Sequence, residues 1–145
     1  RDHGADDLPE FRKAEQAIKG PSSIWKLYYQ GSVGGQALTG LPVVKKLKSK
    51  LGGAMKLWPF ETGWKTLTLA DVEGVSVVAA EIYPSLYATK ASSSEVKDAV
   101  QVRAAAEHFA ALDEKGRLGG VFGPKKDQET HAEIVTREEG WILGV

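Results

Sequence analysis

The sequence predicts an α/β fold in which a few-stranded, mainly parallel sheet is packed by helices, and three features predict it. Residues 75–82 read Val-Ser-Val-Val-Ala-Ala-Glu-Ile, a nearly continuous apolar run of the kind covered on both faces of a parallel sheet. Residues 55–58, Met-Lys-Leu-Trp, give a second and shorter strand whose lysine points to less complete burial. Stretches with helical spacing lie before, between and after these runs. Both strands stop at a carboxylate beside an aromatic residue and a proline, Trp58-Pro59-Phe60-Glu61 and Glu81-Ile82-Tyr83-Pro84. In α/β sheets ligands sit outside the carboxyl ends of parallel strands, so Glu61 and Glu81 become candidates for metal or phosphate chemistry.

Taken in order, residues 1–8 are polar and predicted to be mobile, and Pro9 opens a short helix to about Ile18, closed by Gly20-Pro21. The aromatic and branched residues 24–29 read as an edge strand or an extended segment. After Gly31-Ser32-Val33-Gly34-Gly35 a helix follows, expected to be interrupted near Gly40-Leu41-Pro42, with Val43, Val44, Leu47 and Leu51 as its apolar stripe against Lys45, Lys46, Lys48 and Lys50. Gly52-Gly53 ends it. The connection over 62–74 has room for a turn of helix. Ser92-Ser93-Ser94-Glu95 has the form of a capping box and opens a long helix to Gly116, with Ala99, Val102, Ala106, Phe109 and Leu112 predicted on its buried face. Asp127 is the expected cap of a last helix through about Leu143.

Composition limits what this chain can be. Its 145 residues fit one domain, and they begin without methionine and stop inside an apolar run, which predicts a C-terminal fragment of a domain. Nineteen basic and nineteen acidic residues leave no net field to draw the chain onto nucleic acid or an anionic membrane, so any such binding must be local. The absence of cysteine excludes disulfides, thiolate metal sites and a cysteine nucleophile, and fits a cytoplasmic protein. No run reaches the roughly 18 apolar residues expected of a membrane span.

On the last predicted helix, Glu138 shares the stripe of Ile134, Val135, Trp141, Ile142 and Val145, and Glu139 lies beside it. An acid on an apolar face must sit at the rim of the core, pair with a cation such as Arg137 or Arg103, or help to hold a metal. Carboxylates from two strand ends and a facing helix are a common way of gathering the oxygens that a divalent cation needs. The glycines of residues 31–40 fit close helix packing better than a phosphate loop, because Leu41-Pro42 stands where lysine and a hydroxyl residue are required; Ser32 lacks the flanking glycine of a nucleophile elbow. His3, His108 and His131 form no metal-binding spacing. Lysines 45–50 read as a solvated helix face before they read as a nucleic-acid contact. Asp98 and Arg103 fall off the apolar stripe and read as surface charge.

Several phrases together, GSVGGQALTGLP (31–42), WPFETG (58–63), EIYPSL (81–86), EVKDAVQVRA (95–104) and EEGWILG (138–144), resemble the C-terminal half of an uncharacterised bacterial family. That family is expected to have a ribonuclease H-like fold, and some members carry the label of molybdopterin guanine dinucleotide synthesis proteins. The resemblance spans residues 11–144. Family members begin with a strand bearing an aspartate in a VDWSA-like phrase, then a phrase like FDFPFG, and neither occurs here.

The resemblance implies a sheet whose strand-end acids and late helix gather two metal ions for phosphoryl chemistry. Glu61, Glu81, Glu138 and Glu139 would be the catalytic acids, and Glu61, Glu81 and Glu139 would hold Mg²⁺ or Mn²⁺. The leading expectation is therefore a metal-dependent nuclease or phosphohydrolase-like hydrolase domain, incomplete here, with a nucleic acid or nucleotide substrate. The alternatives are a non-catalytic binding or assembly domain, or an accessory role in molybdenum-cofactor biosynthesis. A half-fold of this kind exposes a sheet edge, which predicts self-association or pairing with its missing N-terminal half, and no membrane partner.

Overall fold

The structure is a computed structural model and describes residues 8–29, 32–87 and 95–145. The expectations for residues 1–7 and for the Ser92-Ser93-Ser94 cap fall outside those residues. The chain folds as a mixed α/β unit around a parallel sheet of two strands, β1 (Met55–Leu57) and β2 (Val77–Ala79), with Met55 opposite Val77 and Leu57 opposite Ala79. The described residues include the single turn α1 (Lys13–Gln16), the long α2 (Val33–Leu51), which contacts β1, and α3 (Lys97–Glu114). A last helical stretch combines a tight turn at Glu129–His131, a short α4 (Ala132–Ile134) and a wide π-turn at Val135–Glu139. No helix among the described residues is long and apolar enough to cross a membrane.

The strand expected over 75–82 is shorter than its composition implies. With one neighbour in the sheet, β2 is covered on few sides, and Val77 is 39% exposed. The chain then exchanges partners. Glu81 forms a parallel bridge with Ile142, and the Leu143 N–H donates to the Glu81 carbonyl at 2.8 Å. The last helix stops at Glu139 rather than at Leu143: Gly140 takes a positive φ of 68°, Ile142 bridges to Glu81, and Leu143 turns back, with Trp141, Ile142 and Leu143 all buried in the core. Asp127 does not cap this stretch. Gln128 stands at the N-cap, and its side-chain oxygen accepts the Lys125 N–H.

Helix α2 runs unbroken through Pro42, against the expected interruption. Proline removes one helical hydrogen bond, but the helix is anchored at both ends, by the Gly34 N–H on the Lys26 carbonyl and by Lys48 on β1, so tertiary fixing outweighs the local penalty. Its predicted apolar stripe is largely uncovered: Val43, Leu47 and Leu51 are exposed, and Val44 is half-buried. The buried face of α3 is also rotated from the expected one. Ala105 is buried with Phe109 and Leu112 beside it, whereas Ala99, Val102 and Ala106 face solvent. Residues 24–29 form no strand, with a turn at 24–25 and a bend at 28–29 around two irregular residues, and α1 is confined to one turn of the helix expected from Pro9 to Ile18.

The core gathers Trp58 after β1, Trp64, Val135, and the segment Trp141-Ile142-Leu143. Trp64 and Trp141 pack with ring centroids 4.7 Å apart. The Trp58 indole N–H donates to the Phe122 carbonyl at 3.0 Å, giving its polar atom a partner inside apolar surroundings. Ala14 of α1 is fully buried in the same cluster, which brings the start of α1 beside the end of the chain.

Candidate functional site

The residue that organises the strand ends is Arg12, which precedes α1. Its Nη1 and Nη2 donate to Oε2 and Oε1 of Glu81, each at 2.8 Å, in a two-pronged fork-to-carboxylate contact. Nη1 also donates to the Glu139 carbonyl at 3.0 Å, and Nε to Oε1 of Glu15 at 3.0 Å. Glu15, almost fully buried, reaches back from Oε2 to the Arg12 N–H at 2.9 Å, so the first turn of the helix and the guanidinium hold each other. Burial opposes the positive charge of Arg12, but the hydrogen bonds and charge of Glu81, aided by Glu15, outweigh it and raise its pKa further above the usual range. Arg12 is thus a permanent cation placed between β2, α1 and the last helix.

Glu139 joins this group from the other side, its Oε2 accepting the Lys13 N–H at 2.7 Å. That amide is one of the unsatisfied donors at the start of α1, and a carboxylate there is favoured by both the hydrogen bond and the helix dipole. Glu81 and Glu139, two of the four acids expected at the site, therefore meet at α1. Neither Arg137 nor Arg103 supplies the partner cation: Arg137 pairs with Glu133 and Arg103 with Glu95. Glu138 is exposed, because the wide turn of Val135–Glu139 rotates it off the apolar stripe.

Glu61 stands after the carboxyl end of β1, as Glu81 stands after that of β2, but its contacts are its own. Oε1 accepts Lys48 Nζ at 2.7 Å, and Oε2 accepts the Leu57 N–H at 2.7 Å. The Lys48 hydrogen bond, then that from Leu57, holds the Glu61 carboxyl below its ordinary pKa. Lys48 also donates to the Met55 carbonyl. Among the described residues no three His, Asp or Glu side chains gather as a metal-holding group. As arranged, both oxygens of Glu81 and both of Glu61 accept hydrogen bonds from internal donors, and a cation on Glu81 would be repelled by the Arg12 charge already seated on that carboxylate.

Other residues singled out by sequence have plainer surroundings. Ser32 is buried and its hydroxyl donates to the Leu27 carbonyl at 3.1 Å. Gly34 lies so close to the preceding segment that a Cβ would stand 2.0 Å from the Ile24 carbonyl oxygen, which accounts for glycine at the start of α2 by backbone contact. His108 packs on Tyr87 at 4.7 Å between ring centroids, beside an open hollow of about 550 Å³ bordered by Ile18, Leu86, Val121 and Lys125. Burial raises the Tyr87 pKa, and its hydroxyl donates to the Leu143 carbonyl.

Arg12 was not singled out by sequence. Its signal, an arginine three residues before Glu15 at the head of a short amphipathic turn, indicates a local pair and carries no information about Glu81 or Glu139. Compared with protein-family models, curated proteins and solved structures, the chain has no match.

Proposed function

We propose that this chain is a non-catalytic binding or assembly domain, with its strand-end carboxylates employed as internal struts. The observation that carries the reading is the Arg12–Glu81 fork, which engages both carboxylate oxygens after the end of β2 and, through Arg12, joins α1, the sheet and the last helix. The binding surface is α2. The surface is the face of α2 that bears Leu38 and Leu41, 66% and 63% exposed, with Lys45 one turn further along the same face and no acidic residue in the helix. Each half-covered aliphatic side chain has on the order of 1 kcal/mol still to gain from burial. The complementary occupant is a polypeptide with an apolar strip bordered by acidic residues.

An acidic, leucine-containing amphipathic peptide is the defined probe. Titrated into labelled protein, it shifts the amides of α2 in preference to those of α3, and Lys45→Glu with Lys46→Glu weakens it about fivefold, the order expected for rim charges. No shift in α2, or equal binding by the charge-reversed variant, counts against the assignment. Preferential binding of a duplex RNA to the same lysines replaces the polypeptide partner with a nucleic acid.

The metal-dependent nuclease or phosphohydrolase reading, with a ribonuclease H-like fold and Mg²⁺ or Mn²⁺, retains one favourable observation. Glu61 and Glu81 follow the carboxyl ends of paired parallel strands, and Glu139 comes to α1 beside Glu81. In that reading Arg12 would have to leave Glu81 before a metal entered. Metal-dependent cleavage of nucleic acid that disappears in Glu81→Gln favours it over the binding domain.

A further inference from the structure

Among the described residues the outer edge of β1 carries no strand, yet its backbone is not open. The Ala54 carbonyl and the Trp58 N–H point to β2, bonding Ser76 and Ala79, so the groups of Met55 and Leu57, one residue out of phase, point away from it. Each of those outward groups has a local partner: the Met55 N–H donates to the Gly52 carbonyl, the Met55 carbonyl accepts Lys48 Nζ, the Leu57 N–H donates to Glu61 Oε2, and the Leu57 carbonyl accepts the Glu61 N–H. Lys48 and Glu61 close on one another at 2.7 Å. One side chain imitates the donor and the other the acceptor of a missing neighbouring strand.

We infer that the Lys48–Glu61 pair is an edge guard, which blocks strand addition to β1 and whose removal lets a second copy of this chain pair there. The second copy is the fitting occupant because the edge is self-complementary. Its sequence of N–H, C=O, N–H, C=O on Met55 and Leu57 matches itself when run antiparallel, Met55 of each chain facing Leu57 of the other about a two-fold axis through Lys56. The exposed Leu47 and Leu51 on α2, flanking Lys48 in sequence, supply apolar surface near the junction. Lys56 adds a second obstacle: in this register it faces its own copy, and like charges directly opposite are unfavourable. The inference is independent of the proposed α2 partner, since it concerns a different surface and what the fold prevents there.

The test compares the intact chain with Lys48→Met, Glu61→Ala and the double variant by sedimentation equilibrium, with tryptophan fluorescence confirming that the buried tryptophans keep their environment. The double variant, in which the Met55 carbonyl and the Leu57 N–H become available for pairing, self-associates at least about tenfold more tightly than the parent. Register is read by adding Lys56→Cys to both backgrounds, because the two positions would lie about 4.5 Å apart between Cα atoms in a non-hydrogen-bonded antiparallel pair. Under mild oxidation, cross-linked dimer forms in the unguarded background and much less in the guarded one. Should Lys48→Met with Glu61→Ala unfold the chain, Lys48→Met alone, which leaves the Leu57–Glu61 contacts, shows the smaller increase. Unchanged association in folded variants, or equal cross-linking in guarded and unguarded chains, overturns the inference.

Discussion

Arg12 and Glu81, 69 positions apart, meet through two 2.8 Å hydrogen bonds that fasten the head of α1 to the end of β2. Because Glu15 shares the guanidinium and is almost fully buried, loss of Arg12 strands a buried carboxylate as well as breaking the fork. Arg12→Met is expected to cost about 2–4 kcal/mol in urea unfolding. Arg12→Lys keeps the charge and loses the fork, and is expected to cost about half as much. The pairwise coupling in a double-mutant cycle with Glu81→Gln is smaller, about 1 kcal/mol, because the Glu81 side chain is 47% exposed and screened by solvent.

The Glu61 carboxyl has a folded pKa below its ordinary value, chiefly through Lys48 and then the Leu57 N–H. A lowered folded pKa means that the unfolded chain takes up the proton first, so the stabilisation is complete above the unfolded value and is lost as pH falls through the folded one. Stability measured from about pH 6 to pH 3 should therefore decline less steeply in Glu61→Gln than in the parent. Carboxyl-carbon NMR titration of the parent and of Lys48→Met locates the effect: removal of the lysine moves the Glu61 midpoint upward.

Two glycines of one helix should respond in opposite directions. Gly40 has open space around its missing Cβ, so Gly40→Ala should stabilise α2 by up to about 1 kcal/mol. Gly34→Ala would press its Cβ into the Ile24 carbonyl and should destabilise the chain despite the better helix propensity of alanine. Thermal unfolding of the two variants measures the contrast.

In the core, Trp141→Ala should cost about 3–5 kcal/mol, since it removes a buried ring packed on Trp64. Trp25→Ala, at a half-exposed ring, should cost far less, with the loss of one exposed hydrogen bond to the Pro9 carbonyl. Denaturant unfolding of both variants separates the two tryptophans.

The α/β class, the two parallel strands and the positions of the acids after their carboxyl ends were legible from the alternation of apolar runs with helical spacing. What escaped was set by contacts distant in sequence. Residues 141–143 have helical spacing with 134 and 135, but the Gly140 turn sends them to pair with Glu81, a partner that periodicity cannot reveal. Pro42 marks a break that end-anchoring of α2 overrides. At the site, residue type identified Glu61, Glu81 and Glu139 as acids at element ends, while their environments depended on Arg12 and Lys48, whose reach across the fold leaves no local pattern.

Whether Glu81 serves as a strut for Arg12 is decided by measuring Mn²⁺ affinity and unfolding free energy side by side for the parent chain and Glu81→Gln. A strut gives no saturable Mn²⁺ binding at micromolar metal in either protein and a loss of about 1 kcal/mol or more of stability in the variant. Micromolar binding in the parent that vanishes in Glu81→Gln, with stability unchanged, would contradict that role.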